Sequence, residues 1–141
     1  MDMNDAYSLM YIDVDHLAAI NELFGRSLGD SLLDQLDDRL KTATQSENIL
    51  VRLSSDEFML LLASQDANHL CWIAQMLLAR ARDPMRVGGR IVETSISIGA
   101  ALHPLHGRDI VSLMRCAEFA MRQVKANGRN GYHLFSGEAG L

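Results

Sequence analysis

The chain has 141 residues, 48% of them hydrophobic and 22% charged, which is the balance of a folded globular domain and excludes a disordered or fibrous chain. A chain of this length buries roughly 68–70% of its unfolded surface, so one domain with one core is expected without disulfide or metal staples. The formal net charge of -5 argues against a nucleic-acid binder held by phosphate neutralisation, while leaving room for a basic pocket around a single nucleotide. In chain order, Tyr7–Val14 (YSLMYIDV) is an apolar run of strand formers that leads into two carboxylates, Asp13 and Asp15, and it reads as a central strand. Leu17, Ile20, Leu23 and Phe24 then recur at helical spacing up to Gly25, and a second helix opens at Ser27 or Gly29. In that helix Leu28, Leu32, Leu36 and Leu40 share a face with Leu33 beside them, and Asp34, Asp37 and Asp38 take the solvated side.

Residues 49–53 and 58–63 are apolar runs separated by Ser54-Ser55-Asp56-Glu57, the pattern of a hairpin with a polar tip. Residues 66–82 carry Leu70, Ile73, Ala74, Leu77, Leu78 and Ala81 on one helical stripe, with Pro84 beyond the end. Gly88-Gly89 forms a tight turn feeding one strand over 91–102, in which Ile96, Ile98 and Ala100 alternate with Ser95, Ser97 and Gly99. A last helix spans about 109–127 with Gly128 as its stop, and 132–135 closes as a short strand. The order β-α-α-β-β-α-β-β-α-β predicts an α+β sandwich of ferredoxin-like character, its central, mostly antiparallel sheet flanked by helices. Cys71 and Cys116 lie in apolar helical patterns without metal-type spacing, so they read as buried thiols of a reducing compartment, the cytoplasm. No apolar run approaches the ~20 residues of a membrane span, and no direct membrane contact is expected.

Asp13 ends the first strand while Asp56 and Glu57 occupy the hairpin tip, so pairing of those strands brings the carboxylates to one edge of the sheet. A few hard oxygens of this kind suit Mg²⁺ completed by substrate phosphates; on geometry alone, solvated turn acids are an equal alternative. His103 and His106 flank Pro104 but lack further ligands of evident spacing, a weak metal motif, and His16, His69 and His133 read as structural or surface residues.

Four runs carry a resemblance: YIDVDHLAAINELFGRSLGD (11–30), VRLSSDEF (51–58), SISIGAALHPLHG (95–107) and CAEFAMRQVKANGRNGYHLF (116–135). In order and spacing they resemble the GGDEF domain of diguanylate cyclases over nearly the whole chain. The resemblance implies a palm-like fold related to adenylyl cyclases, one domain over 1–135, and a tail or linker start at 136–141. It also implies a reaction in which the 3′-hydroxyl of one GTP attacks the α-phosphate of another, across a homodimer of two half-sites, to give cyclic di-GMP. By the same match Asp13, the Val14 carbonyl and Asp56 would hold Mg²⁺, and Glu57 would be a metal-side or general-base residue. Asn21 and Asp30 would read guanine, Lys125 and Arg129 would hold the triphosphate, and Arg52 stands beside the signature. Singly, Asn21 reads as a surface amide, and Asp30, Lys125 and Arg129 as charges that complement helix dipoles; jointly, their spacing favours the nucleotide site.

The chain departs from the family pattern at several positions. Ser54 and Ser55 replace the signature glycines, where a left-handed non-glycine residue costs about 1–2 kcal/mol and a side chain can obstruct the ribose or α-phosphate. Ala18 stands where the family often has a phosphate-binding lysine, a loss of about 1.5–3 kcal/mol for one charge-assisted hydrogen bond. Glu22 replaces an aspartate and Arg122 a tyrosine, and the charges of a product-binding RxxD motif are missing at Gln45 and Asn48, so product feedback is not expected. The expectation is a degenerate, Mg²⁺-dependent GTP-binding domain with weak or absent cyclase activity, regulating a phosphodiesterase or sensory domain on the same full-length chain. An active cyclase is the alternative.

Overall fold

The computed structural model describes residues 6–44, 48–54, 56–64 and 66–136. Strand β1 (Tyr7–Val14) leads into helices α1 (Leu17–Phe24) and α2 (Arg26–Ala43), followed by the hairpin β2 (Ile49–Arg52) and β3 (Glu57–Leu62). Helix α3 (Ala67–Arg82), a small hairpin β4 (Met85–Val87) and β5 (Arg90–Val92), β6 (Ile96–His103), α4 (Ile110–Ala126) and β7 (Gly131–Leu134) complete the order. The main sheet runs β2-β3-β1-β6-β7, with β1 antiparallel to both β3 and β6 and with β7 parallel to β6 across the α4 crossover. This is the α+β, palm-like sandwich with helices flanking a mostly antiparallel sheet that the sequence predicts.

The alternation of β1 divides the core. Met10, Ile12 and Val14 join the cluster under α1, α2 and α3, whereas Tyr7, Leu9 and Tyr11 join the cluster under α4. A strand covered on both faces must be apolar throughout, which is why YSLMYIDV shows no polar alternation. On β6 the contact with α4 depends on Gly99, where a Cβ would run into the Ala117 carbonyl oxygen and the Met121 amide nitrogen. Gly99→Ala is therefore expected to destabilise the fold by about 3 kcal/mol, read as a lower urea midpoint, because neither backbone atom can give way without moving α4.

The predicted strand over 91–102 is in fact two. β5 pairs only with β4 in a separate two-stranded sheet, and β6 begins at Ile96. The break arises because the Asp15 amide donates to the Ser95 carbonyl (2.9 Å) and the Thr94 hydroxyl donates to the Asp15 carbonyl (3.1 Å), so residues 94–95 are held by the chain leaving β1. Cys71 is exposed and Cys116 half-buried, which corrects the expectation of buried thiols: the buried stripe of α3 leaves position 71 outside. Of the four apolar residues that recur at helical spacing in α1, Leu17 and Ile20 are buried, while Leu23 and Phe24 are 75% and 39% exposed. Among the described residues no helix is long and apolar enough to cross a membrane.

His103 stacks on Tyr7 with ring centroids 4.5 Å apart, and His106 Nδ1 accepts from the Leu102 amide (2.9 Å). Burial holds the His106 imidazole below its ordinary value of 6.5. The unfolded chain takes up a proton there at a higher pH than the folded one, so this stability is present above about pH 6.5 and lost as pH falls. Urea titrations at pH 7.5 and 5.5 should show the stability difference between the wild type and His106→Gln shrinking at the lower pH.

Candidate functional site

Asp13 lies opposite Glu57 of β3 and Ser97 of β6, in the middle of the sheet near the end of β1. The hairpin tip is fastened to that end: the Val14 amide donates to the Asp56 carbonyl (3.0 Å), and the Leu53 amide donates to the Glu57 carbonyl (2.8 Å). Asp13, Asp56 and Glu57 thus meet at one edge, as the strand pairing predicts. Burial pushes the Asp13 carboxyl up to about 6; Lys125 pulls it down, while Asp56 and Glu57 push it further up. Its Oδ2 lies 3.3 Å from Lys125 Nζ, whereas Oδ1 is buried with no hydrogen-bond partner among the described residues.

That orphaned carboxylate oxygen suits a divalent cation. Among the described residues no three His, Cys, Asp or Glu side chains cluster as a protein-only metal cage. A sparse set of one or two carboxylates is what Mg²⁺ takes when substrate phosphates and water supply its other ligands, so the residues present fit that ion.

Glu57 is already engaged. Its Oε1 accepts from the Ser54 hydroxyl at 3.1 Å, and the same hydroxyl lies 3.4 Å from Asp56 Oδ1. The Tyr11 phenol is held above its ordinary range first by burial and then by Glu57. Among the described residues the non-glycine positions with left-handed φ are His16, Arg129 and Asn130, so the backbone strain expected at the tip does not fall on Ser54. Ser55 and Gln45 lie outside the described residues, and Asn48 Oδ1 accepts from the Ala63 amide at 3.4 Å.

A second cluster forms where α1 meets α2. Gly25, at φ 91°, is the single residue joining the two helices, and its amide donates to the Asn21 carbonyl (2.8 Å). The Asn21 side chain lies against Gly29, where a Cβ would collide with its Oδ1, and this Oδ1 is buried without a partner. Asp30 is exposed next to that glycine. Ala18 is exposed on α1 and contributes no cation, Glu22 is likewise exposed, and Arg122 pairs with Glu118 one turn away at 2.9 Å.

Lys125, near the end of α4, bridges Asp13 and Asp15 at 3.3 Å each and is 22% exposed. Arg129 is exposed in the turn after α4 at φ 64° and lines a cleft of about 270 Å³ with Gln123, Tyr132 and His133. Arg52 lies apart from these cations, on the opposite pleat from Glu57. Its Nη1 is 3.2 Å from Asp34 of α2, and its guanidinium is 5.9 Å from the Phe58 ring. Asp15 is the residue to which the sequence assigned no role. It is fully buried and carries more side-chain hydrogen bonds than Asp13, and its signal in the sequence was the Asp-Val-Asp spacing together with Ser95 and Ser97 on the partner strand.

Comparison with known proteins gives consistent findings. A family model described as diguanylate cyclase, GGDEF domain, matches residues 2–131. The chain is 33% identical over 129 residues to the bifunctional diguanylate cyclase/cyclic di-GMP phosphodiesterase MucR of Pseudomonas aeruginosa, a match that covers 92% of this chain and 19% of MucR. It is 33% identical over 135 residues to the cyclic di-GMP phosphodiesterase PdeR of Escherichia coli, covering 96% of this chain and 20% of PdeR. The chain therefore spans about a fifth of the length of these relatives. The crystal structure of the GGDEF domain of TpbB (YfiN) from Pseudomonas aeruginosa superposes with a TM-score of 0.90 at 30% identity, over 94% of this chain and 83% of that one.

Proposed function

The chain belongs to the GGDEF domain family of cyclic di-GMP signalling, and on that footing we propose that it is a GTP-binding regulatory module with weak or absent cyclase activity. The contrast between its polar atoms carries the reading. Among the described residues Asp13 Oδ1 and Asn21 Oδ1 are buried without a hydrogen-bond partner, whereas Glu57 Oε1 already accepts from the Ser54 hydroxyl at 3.1 Å.

In this reading Asn21 and Asp30 recognise guanine, the amide as donor and acceptor and the carboxylate as acceptor. Lys125 and Arg129 compensate the triphosphate charge. Asp13, the Val14 carbonyl and Asp56 would hold Mg²⁺, which when bound supplies positive charge against the phosphates. Glu57 would accept the proton of the 3′-hydroxyl, a role that requires it to leave Ser54. Each chain carries half of the reacting pair, so turnover requires a homodimer. A phosphodiesterase or sensory domain on a longer chain is the proposed partner, in the cytoplasm. The second reading, a working cyclase, is favoured by the convergence of Asp13, Asp56 and Glu57 at one sheet edge.

The test is incubation at high protein concentration with GTP and Mg²⁺, followed by chromatography for cyclic di-GMP, alongside calorimetry of GTP binding. Heat that depends on Mg²⁺, with little or no product, supports the regulatory module. Product that disappears in Glu57→Gln supports the cyclase. Neither heat nor product would overturn both.

A further inference from the structure

The two carboxylates of the Asp13-Val14-Asp15 step differ in what they have left to offer. Asp13 keeps one oxygen open. Asp15 keeps none: its Oδ1 accepts from the Ser97 hydroxyl (2.7 Å) and Lys125 Nζ (3.3 Å), and its Oδ2 accepts from the Ser95 hydroxyl (2.5 Å) and the Asn130 amide (3.1 Å). Two donors on each oxygen exhaust the lone pairs of a carboxylate, so Asp15 has no vacancy for a cation. It is nevertheless fully buried, which a carboxylate tolerates only when such partners are fixed.

What it holds is informative. Ser97 fastens it to β6 and Ser95 to the residue just before that strand, so the carboxylate is held from both oxygens. From that fixed point it grips the Lys125 ammonium at one end of α4 and, through Asn130, the turn that follows. That turn places two successive non-glycine residues, Arg129 at φ 64° and Asn130 at φ 51°, in the left-handed region. Such a conformation costs about 1–3 kcal/mol per residue and persists only where surroundings over-determine it. The Asn130 amide bond to Asp15 is such a restraint, and Arg129 is displayed by the turn it stabilises.

We propose that Asp15 is a positioning residue that anchors Lys125 and the Arg129 turn from beneath, so that both cations remain presented to a polyphosphate when Asp13 is occupied by a metal ion. The proposal rests on the nucleotide-binding reading above. In it Asp13 shares Lys125 only until a cation takes its place, while Asp15 keeps Lys125 throughout.

Lys41 is the chain's other lysine, exposed on α2, and serves as an internal reference for competitive acetylation read by mass spectrometry. In Asp15→Asn the ratio of Lys125 to Lys41 labelling should rise about tenfold, the factor set by losing one charge-assisted hydrogen bond. Asp13→Asn should raise it by no more than about twofold, because Asp15 retains the ammonium. Ser97→Ala, which removes one fastening and keeps the charge, should lie between them and replaces Asp15→Asn if circular dichroism shows that variant unfolded. A ratio unchanged in Asp15→Asn and Ser97→Ala, or raised most in Asp13→Asn, overturns the proposal. Calorimetry adds the ligand side: Asp15→Asn should weaken inorganic triphosphate and GTP alike while leaving guanosine unchanged, and equal weakening of guanosine would make the role merely structural. If the wild type binds no GTP, the nucleotide reading fails, and the labelling ratio still decides whether Asp15 anchors Lys125.

Discussion

Replacing Asp13 with asparagine is expected to abolish Mg²⁺-dependent GTP binding, raising the apparent Kd at least about 100-fold, since even the partners of metal ligands are worth about 10–100-fold. The argument starts from position. Asp13 lies on the central strand, in register with Glu57 on one side and Ser97 on the other, and Asp56 is fastened to its neighbour Val14. It also has the buried oxygen with no partner. An amide of the same shape preserves packing but removes the charge that a hard divalent cation requires. Calorimetry with GTP in Mg²⁺ and in EDTA checks this, with guanosine as the control that depends on Asn21 and Asp30 alone. Binding of GTP in Mg²⁺ by the variant as tightly as by the wild type would place the cation elsewhere.

Restoring glycine at both tip positions, Ser54→Gly with Ser55→Gly, should raise cyclic di-GMP formation by about 10–100-fold over the native chain, the range spanned by one charge-assisted hydrogen bond. The structure changes the reason for this expectation. Backbone strain is not the obstacle at Ser54, because its φ is not left-handed. In the proposed reading the obstacle is the hydroxyl, which donates to Glu57 Oε1 at 3.1 Å and lies 3.4 Å from Asp56 Oδ1. Glycine removes that donor and clears the approach of the nucleotide backbone, and displacements of about 1 Å at such a site change rates by ~10²-fold. Product measured by chromatography, with Glu57→Gln added as a third change to extinguish it, tests the idea. If the double variant stays as slow as the native chain, Ala18 rather than the tip limits turnover.

Much of the fold could be read from the chain because local and tertiary preferences agree in it. Tyr7–Val14 is apolar without alternation, and only a strand covered on both faces accommodates that. Asp66 and Asp109 cap α3 and α4 through their side chains, so those helix starts were visible as residue types. The break at 93–95 was not visible, because β-propensity continues through Val92 and Thr94, and the bonds that end the strand come from Asp15, far away in sequence. The exposure of Leu23 and Phe24 was hidden for a similar reason. Helical periodicity defines a face, but which part of that face is covered depends on where α2 and the β4–β5 hairpin lie.

The placement of the candidate site was legible where single residues on predicted elements determine it, as at Asp13 on β1 and Asp56 at the hairpin tip. It was less legible where residues act on one another. Nothing in the spacing shows that Asp15 is saturated while Asp13 is open, since the two differ only in the donors that β6 and α4 bring to them. Arg52, beside the signature in sequence, faces away because adjacent strand residues point to opposite faces, and its partner is Asp34.

Ser54 is exposed at the end of an edge hairpin, while Asn21 is backed by Gly29 in the corner between two helices. Replacing the exposed Ser54 side chain therefore meets little thermodynamic resistance, since surface substitutions usually change stability by no more than about 0.5 kcal/mol. The corner is less tolerant at Gly29, where any Cβ would run into the Asn21 side chain. In the proposed reading, folding alone thus constrains the corner that holds Asn21 more tightly than the tip that holds Ser54, so guanine recognition outlasts turnover without any demand for catalysis.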